Sequence, residues 1–329
     1  MNEPDTSSQD SAVPADVASP PGLADHMPSQ TYVVLDDSHL RSRKRLTVLP
    51  VVLFLLTCVS TFLVGALGWP LTPTLNINRL FHATLTYPGR GFTYMACVLA
   101  ILFAHEMGHF VATVIHRVPA SLPFFIPFPL NPMGTMGAVI AMDGRQGDRR
   151  QVFDIGIAGP LAGLVVAIPI LVYGVFILDV SRPIYGASVD NPLLVDLLIN
   201  WIHPSNNYTG ALTIRQLNPF FMAGWVGLLI TGLNMMPVSQ LDGGHVIYTL
   251  FGRRRALIVA RMFVFTAIFL IVMYDAFNWT LMLFLVILIG TDHPRTRNDY
   301  IPLGRTRTII GLSSLVIPIF CFPPFLFYF

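Results

Sequence analysis

Seven apolar runs, each near the length of a bilayer crossing, dominate this 329-residue chain and leave most of its charge in the segments between them. They fall at about 46–69, 92–116, 154–178, 218–237, 256–275, 277–291 and 308–329. The sixth is short enough to be tilted or incompletely inserted, and the seventh carries Pro318, Pro323 and Pro324. The pattern predicts an all-α polytopic membrane protein with six to seven transmembrane helices. One stretch breaks it. Pro119, Pro123, Pro127, Pro129 and Pro132 forbid a regular helix after the second run, yet residues 122–130 are strongly apolar. Irregular backbone at membrane depth must be covered by protein or line a wet cavity, so this stretch reads as re-entrant. Gly134 to Met142, rich in glycine and β-branched residues and closed by Asp143-Gly144, reads as a short strand or hairpin, giving a small re-entrant β element. In the third run Gly159 and Gly163 form a small-xxx-small pair suited to close helix packing.

Composition sharpens this picture. Hydrophobic residues make up 53% and charged residues 12% of the chain, against roughly 25% charged in a soluble domain. Residues 1–45 form a separate region: a Ser-, Pro- and Asp-rich tail, expected to be disordered, ending in the basic cluster Arg41-Ser-Arg-Lys-Arg45. No apolar region with a cleavage site opens the chain, so no signal peptide is expected. A basic cluster abutting a span is a positive-inside signal rather than a nucleic-acid patch, and the tail is expected to be cytoplasmic. With that orientation fifteen of the twenty Lys and Arg residues fall in cytoplasmic segments and four, Arg79, Arg90, Arg182 and Arg215, in outer loops. The opposite orientation would invert the bias. Trp69-Pro70 is expected to mark an interfacial end of the first span. Residues 275–278 are expected to join the fifth and sixth spans as a tight hairpin, and 179–217 to form a polar loop with an amphipathic piece at 193–202 and a glycosylation sequon at 207–209. Cys58, Cys97 and Cys321 lie in apolar segments without disulfide or metal spacing. His116, His203 and His293 read as loop or interfacial histidines.

The chemistry concentrates in two places. His105-Glu-Met-Gly-His109 is an HExxH motif inside the second apolar run. Residues four apart share a helix face, so His105 and His109 can hold one zinc ion while Glu106 activates a water. From His109 to His116 is seven residues, or about 10 Å of helix, which puts the metal below the cytoplasmic surface. A catalytic zinc takes three protein ligands. Asp242, after the fourth run and in Leu241-Asp-Gly-Gly-His245, is the best candidate for the third. His245 is a rival, and a plain helix N-cap is the structural alternative for Asp242. Asn234, eight residues earlier, is placed to donate to a developing oxyanion. Gly134, Thr135, Met136 and Gly137 open the strand that would pair with an unwound substrate by adding backbone hydrogen bonds; a purely structural β-turn explains them equally well.

Together, HEMGH in one span and Asn234-x-x-Pro237-x-x-x-Leu241-Asp-Gly-Gly244 after a later one resemble the site-2 protease family of intramembrane zinc metalloproteases. The likeness extends over about residues 46–310, a single transmembrane domain within 46–329. It implies Zn2+ bound by His105, His109 and Asp242, Glu106 as general base, and Asn234 stabilising the transition state. It also implies a multi-pass enzyme that cuts single-span membrane proteins within the lipid bilayer and has no nucleic-acid partner. One departure stands out: no segment between the core spans is long enough for the PDZ domain of many bacterial members. A metal transporter would also bury His and Asp at membrane depth, but along several spans rather than at one point. A catalytically silent scaffold is a further alternative, disfavoured by the presence of Glu106 and all three ligand candidates.

Overall fold

The structure is a computed structural model, and it describes residues 48–69, 77–142, 144–179, 188–204, 208, 210–238, 240–274, 279–323 and 327–328. The expected tail, the 275–278 connection and the 207–209 sequon, apart from Tyr208, lie outside the described residues. In chain order the elements are α1 (Val48–Leu67), α2 (Ile77–Thr86), α3 (Pro88–His116), β1 (Phe124–Phe128), β2 (Gly134–Val139), α4 (Arg149–Phe176), β3 (Ser188–Asp190) and α5 (Leu193–Ile202). There follow β4 (Ala211–Thr213), α6 (Pro219–Asn234), α7 (Asp242–Phe251), α8 (Arg253–Met273), α9 (Thr280–Ile289), α10 (Arg305–Ser314), α11 (Ile317–Cys321) and β5 (Phe327–Tyr328).

Four of the described helices, α1, α3, α4 and α8, are long and apolar enough to cross a membrane. They correspond to the first, second, third and fifth expected spans. The fourth run forms α6, only 16 residues, about 24 Å where a bilayer core needs about 30 Å. It stops because Pro237 cannot continue the ladder. The sixth run yields the ten residues of α9. The last divides into α10 and α11, the latter with Pro318 in its first turn, where proline is tolerated.

At the centre α3 packs on α4, α6 and α1, and α4 also holds α6 and α7. The backbones come close where side chains vanish. A Cβ on Gly108 of α3 would sit 2.5 Å from the Ala158 carbonyl oxygen of α4, and one on Gly174 would sit 2.2 Å from the Phe221 amide of α6. Around these crossings Leu102, Leu171, Phe221, Trp225 and Leu228 are buried. Many outward side chains are also apolar, among them Leu55 on α1, Val165 on α4 and Phe265 on α8. Such a surface suits lipid and would be a liability in water.

The proline-rich stretch becomes β1, which pairs antiparallel with β2 in the register Phe124↔Val139, Phe125↔Ala138, Pro127↔Thr135 and Phe128↔Gly134. Pro127 survives because β1 is an edge strand of a two-stranded sheet. Three hydrogen bonds fix the hairpin. Ser60 Oγ donates to the Gly134 carbonyl (2.6 Å), Tyr94 Oη to Met133 (2.8 Å) and Thr135 Oγ1 to Ile126 (2.9 Å). Gly134 has φ +78° and lies so near α1 that a Cβ would meet Thr61 Cα at 2.9 Å.

The loop after α4 is more built than expected. Its amphipathic piece is α5, and β3 sits between β4 and β5 in a three-stranded sheet. Val189, Val195, Ile199 and Leu212 bury its inner face. Trp69 also departs from expectation. It packs inside, edge-on to Tyr94 at 5.6 Å, instead of marking an interface. The three cysteines are free.

Overpacking a close crossing costs about 1–3 kcal/mol. Gly174→Ala is therefore expected to lower the thermal midpoint in detergent, whereas Gly89→Ala, with open space around its Cβ position, leaves it unchanged. Equal midpoints for the two variants would show that the α4–α6 crossing is not under this constraint.

Candidate metal centre

Helix α3 carries His105 and His109 one turn apart on the face turned to α4 and α7. Asp242 arrives from the opposite direction as the first residue of α7, after the chain turns at Pro237. His105 Nε2 lies 3.2 Å from Asp242 Oδ2, and His109 Nε2 lies 3.3 Å from Asp242 Oδ1. The two Nε2 atoms are 3.2 Å apart. Ligand bonds of about 2.0–2.1 Å in a tetrahedron put donor atoms about 3.3–3.4 Å from one another. The His105–His109 separation matches one edge of such a polyhedron, and each histidine lies a comparable distance from one of the two Asp242 oxygens. Among the described residues His105, His109 and Asp242 are the one group of three or more donors that converges in this way.

The environment fits an ion better than a hydrogen-bonded triad. Asp242 Oδ2 is buried and, despite its nearness to His105, has no partner in hydrogen-bonding geometry among the described residues. A carboxylate stripped of water costs several kcal/mol unless it is paired or holds a metal. Burial alone would raise the Asp242 carboxyl, but His109 and His105 outweigh it and hold it well below the usual carboxylate range. The His109 tautomer is set from behind: its Nδ1 donates to the Ile155 carbonyl at 2.8 Å, leaving Nε2 free for the metal. His105 Nδ1 is buried against Gly163 without a protein partner among the described residues.

Helix α4 supplies the room. A Cβ on Gly159 would fall 2.0 Å from His109 Nε2, and one on Gly163 would fall 3.0 Å from His105 Nδ1. The small-xxx-small pair thus packs directly against the two imidazoles. Gly243 serves the other side, where a Cβ would meet the Met235 carbonyl oxygen at 2.0 Å. That contact draws the start of α7 against the end of α6.

Glu106 is 2% exposed and lines the same cavity of about 120 Å3 as the three donors. Asn234 ends α6 with its side-chain nitrogen 3.2 Å from His105 Nε2. Leu241 is the N-cap of α7 and makes no side-chain cap, so Asp242 is the first helical residue and its carboxylate is spent on the histidines, not on capping. His245 lines the cavity but turns Nδ1 to His293 Nε2 at 2.6 Å, outside the donor cluster.

The strand contributes differently from expectation. Ala138, Val139, Ile140 and Met142 line the cavity. Gly134 and Thr135 are packed away against α1 and β1, and Met136 and Gly137 are not in the cavity wall. The reason is length: at about 3.3 Å per residue, four residues of strand separate a start anchored on Ser60 from a wall near His109. The other histidines have structural partners: His116 Nε2 lies 3.1 Å from Asp154, which Arg307 also grips, and His203 binds the Val175 carbonyl at 2.8 Å. Sequence reasoning missed the Ile155 carbonyl, the lower strand wall and His293. The cue for the first two was their nearness in sequence to named motifs.

The fold and site define a membrane protein in which two histidines and an aspartate that could hold a metal ion meet beside a buried glutamate. Residues 93–274 match the profile of Peptidase family M50, and the chain belongs to that family. It is similar to the probable zinc metalloprotease EGY1, chloroplastic, of Arabidopsis thaliana, with 30% identity over 69% of this chain and 42% of the relative. EGY1 of Oryza sativa subsp. japonica is 39% identical over 47% of this chain and 27% of its own length. The probable zinc metalloprotease EGY2, chloroplastic, of Arabidopsis thaliana is 28% identical over 47% of this chain and 28% of its own. The chain thus spans less than half the length of these relatives. No solved structure gives a significant match.

A methyl group at residue 159 would occupy the space of the His109 donor nitrogen. Gly159→Ala is expected to purify without zinc, while Gly144→Ala, whose Cβ would meet nothing nearer than 3.9 Å, retains about one zinc per chain by elemental analysis. Full zinc content in the Gly159→Ala protein would remove His109 from the ligand set.

Proposed function

We propose that this chain is an intramembrane zinc metalloprotease, hydrolysing peptide bonds within or near the transmembrane segments of single-span, membrane-anchored proteins. The observation that carries the reading is the meeting of His105, His109 and Asp242 at mutual distances of 3.2–3.3 Å, with Glu106 in the same cavity. In this reading His105, His109 and Asp242 hold the zinc ion. When bound, zinc acts as a Lewis acid that polarises the scissile carbonyl and lowers the pKa of a coordinated water to about 7. Glu106 takes the proton from the attacking water and delivers it to the amide nitrogen as the C–N bond breaks. The Asn234 side-chain amide, beside His105 on the cavity wall, donates to the developing oxyanion.

A transmembrane substrate hides its carbonyls in helical hydrogen bonds and must unwind to expose one. The stretch from Gly134 to Met142 offers a way. One edge pairs with β1 and, beyond it, through the Ala120↔Met142 bridge; the other carries no strand among the described residues. Val139 is 52% exposed, and Ile140 and Met142 reach the cavity. An extended substrate added along this edge regains the backbone bonds it lost. The binding stretch in this reading lies at Val139–Met142, downstream of Gly134 to Gly137, which anchor it.

Water and products need a route. A second cavity of about 550 Å3, lined in part by Pro119, Gly144, Arg145 and Pro294, shares Met142 and Gln240 with the metal cavity. Arg117, Arg145, Arg149 and Arg150 cluster in the segments around it, so we assign this side, with the N-terminus, to the cytoplasm. Six to seven crossings then require α6, α9 and the α10–α11 pair to insert as short or broken helices. A metal transporter fits less well, because a permeation path needs a series of donor clusters and the described residues hold one.

Glu106→Gln is expected to retain zinc and lose cleavage of a single-span reporter by at least about 100-fold. Asp242→Asn is expected to lose both. Retained cleavage in the Glu106→Gln protein would sink the hydrolytic reading, and zinc-dependent flux into liposomes by that variant would favour transport.

A further inference from the structure

Asp242 can serve a metal only while α7 keeps one rotation. Its oxygens face the histidines, and among the described residues no hydrogen bond fixes Oδ2 from behind. A helix of ten residues is too short to fix its own orientation. The orientation has to come from what holds α7, and one such tie lies a turn beyond Asp242.

There His245 places Nδ1 2.6 Å from Nε2 of His293, a residue 48 positions later between α9 and α10. The direction of this hydrogen bond can be worked out. His293 Nδ1 lies 2.6 Å from the Pro294 carbonyl, which can only accept. Burial lowers the His293 pKa and keeps that ring neutral, so its proton sits on Nδ1, its Nε2 offers a lone pair, and His245 Nδ1–H is the donor. Burial, followed by the facing His293 ring, pushes His245 down to about 3, so the donor ring is neutral. The acceptor is itself held. The His293 ring stacks on Tyr248 at 4.1 Å and 23°. Tyr248 Oη donates to the Asp299 carboxylate at 2.9 and 3.0 Å, and Thr296 Oγ1 donates to it at 2.5 Å. Arg149, from the start of α4, completes the bracket by donating to the Thr249 and Leu250 carbonyls of α7 at 2.7 and 3.3 Å.

We propose that His293 is a positioning residue for the metal centre: by accepting the hydrogen bond of His245 it holds α7 in the rotation that turns Asp242 towards His105 and His109. The segment 291–304 thereby belongs to the working site although none of it is a ligand. This rests on the metal-binding reading above.

The test uses the full chain in detergent and zinc itself, with retention measured by competition against a chelator. His293→Phe keeps the ring stacked on Tyr248 and removes the acceptor; His293→Gln keeps a polar atom near the Nε2 position. Loss of an outer partner of a metal site typically costs about 10- to 100-fold in metal affinity. The expected result is a loss of that size for His293→Phe and a change within about threefold for His293→Gln, with thermal midpoints of the metal-free proteins alike. The cobalt-substituted His293→Phe protein is expected to show an altered visible spectrum, the mark of a displaced ligand. Should His293→Phe fail to fold, His245→Leu against His245→Asn asks the same question from the donor side, since Asn retains a donor near Nδ1. Wild-type affinity in His293→Phe, or in His245→Leu, overturns the proposal, and so does an equal loss in His293→Phe and His293→Gln. Wild-type protein that holds no zinc is a different result, and it overturns the metal reading on which the proposal stands.

Discussion

Three donor atoms converge inside an apolar interior, and most of this structure can be understood as the means of keeping them there. Two imidazoles and a carboxylate within 3.2–3.3 Å of one another, with Asp242 Oδ2 lacking a hydrogen bond among the described residues, form a poor arrangement for protons and a good one for a cation. Without an ion the buried carboxylate costs several kcal/mol; with one, the same desolvation strengthens every bond at the site. The chain therefore has to hold this geometry rigidly.

Rigidity comes from close backbone approach rather than from large side chains. Gly159 and Gly163 let α4 lie on the histidine rings, Gly108 brings α3 to the Ala158 carbonyl, and Gly243 seats the start of α7 on the end of α6. In lipid there is little hydrophobic drive between helices, so small residues that permit van der Waals contact do the work that leucine does in water. The same closeness places the Ile155 carbonyl where it fixes the His109 tautomer. Packing and chemistry thus use the same few positions.

What could be read from the sequence follows from this division. The HExxH spacing, the break at Pro237 and the aspartate after it are local patterns tied to metal chemistry, and the structure brings those residues together. Gly159 and Gly163 were legible as a packing pair, but not as the cradle of the histidines, because a glycine carries no sign of what it faces. Trp69 misled for a related reason: a tryptophan before a proline resembles an interfacial anchor, yet Tyr94 and the fold around it enclose the ring. The three-residue strands β3 and β4 were beneath any periodic signal, their pairing decided by contacts far apart in sequence. The fourth run, read as about 218–237, is helical only from Pro219 to Asn234, since hydropathy does not register where backbone hydrogen bonds stop short of a proline.

The strand illustrates how function and anchoring compete along one element. Its glycine-rich start drew attention as a place for a substrate backbone, because open backbone and conformational freedom coincide there. Those same properties are consumed by α1: Gly134 accepts from Ser60, and its positive φ lets the chain turn against Thr61. There the backbone is committed to its support on α1 and β1. Further along, the stretch leaves α1, Val139 becomes exposed, and Ile140 and Met142 come level with the metal cavity. On the proposed reading a fixed support and a free edge have opposite requirements, and the stretch of nine residues sets the support first and the free edge beside the donors.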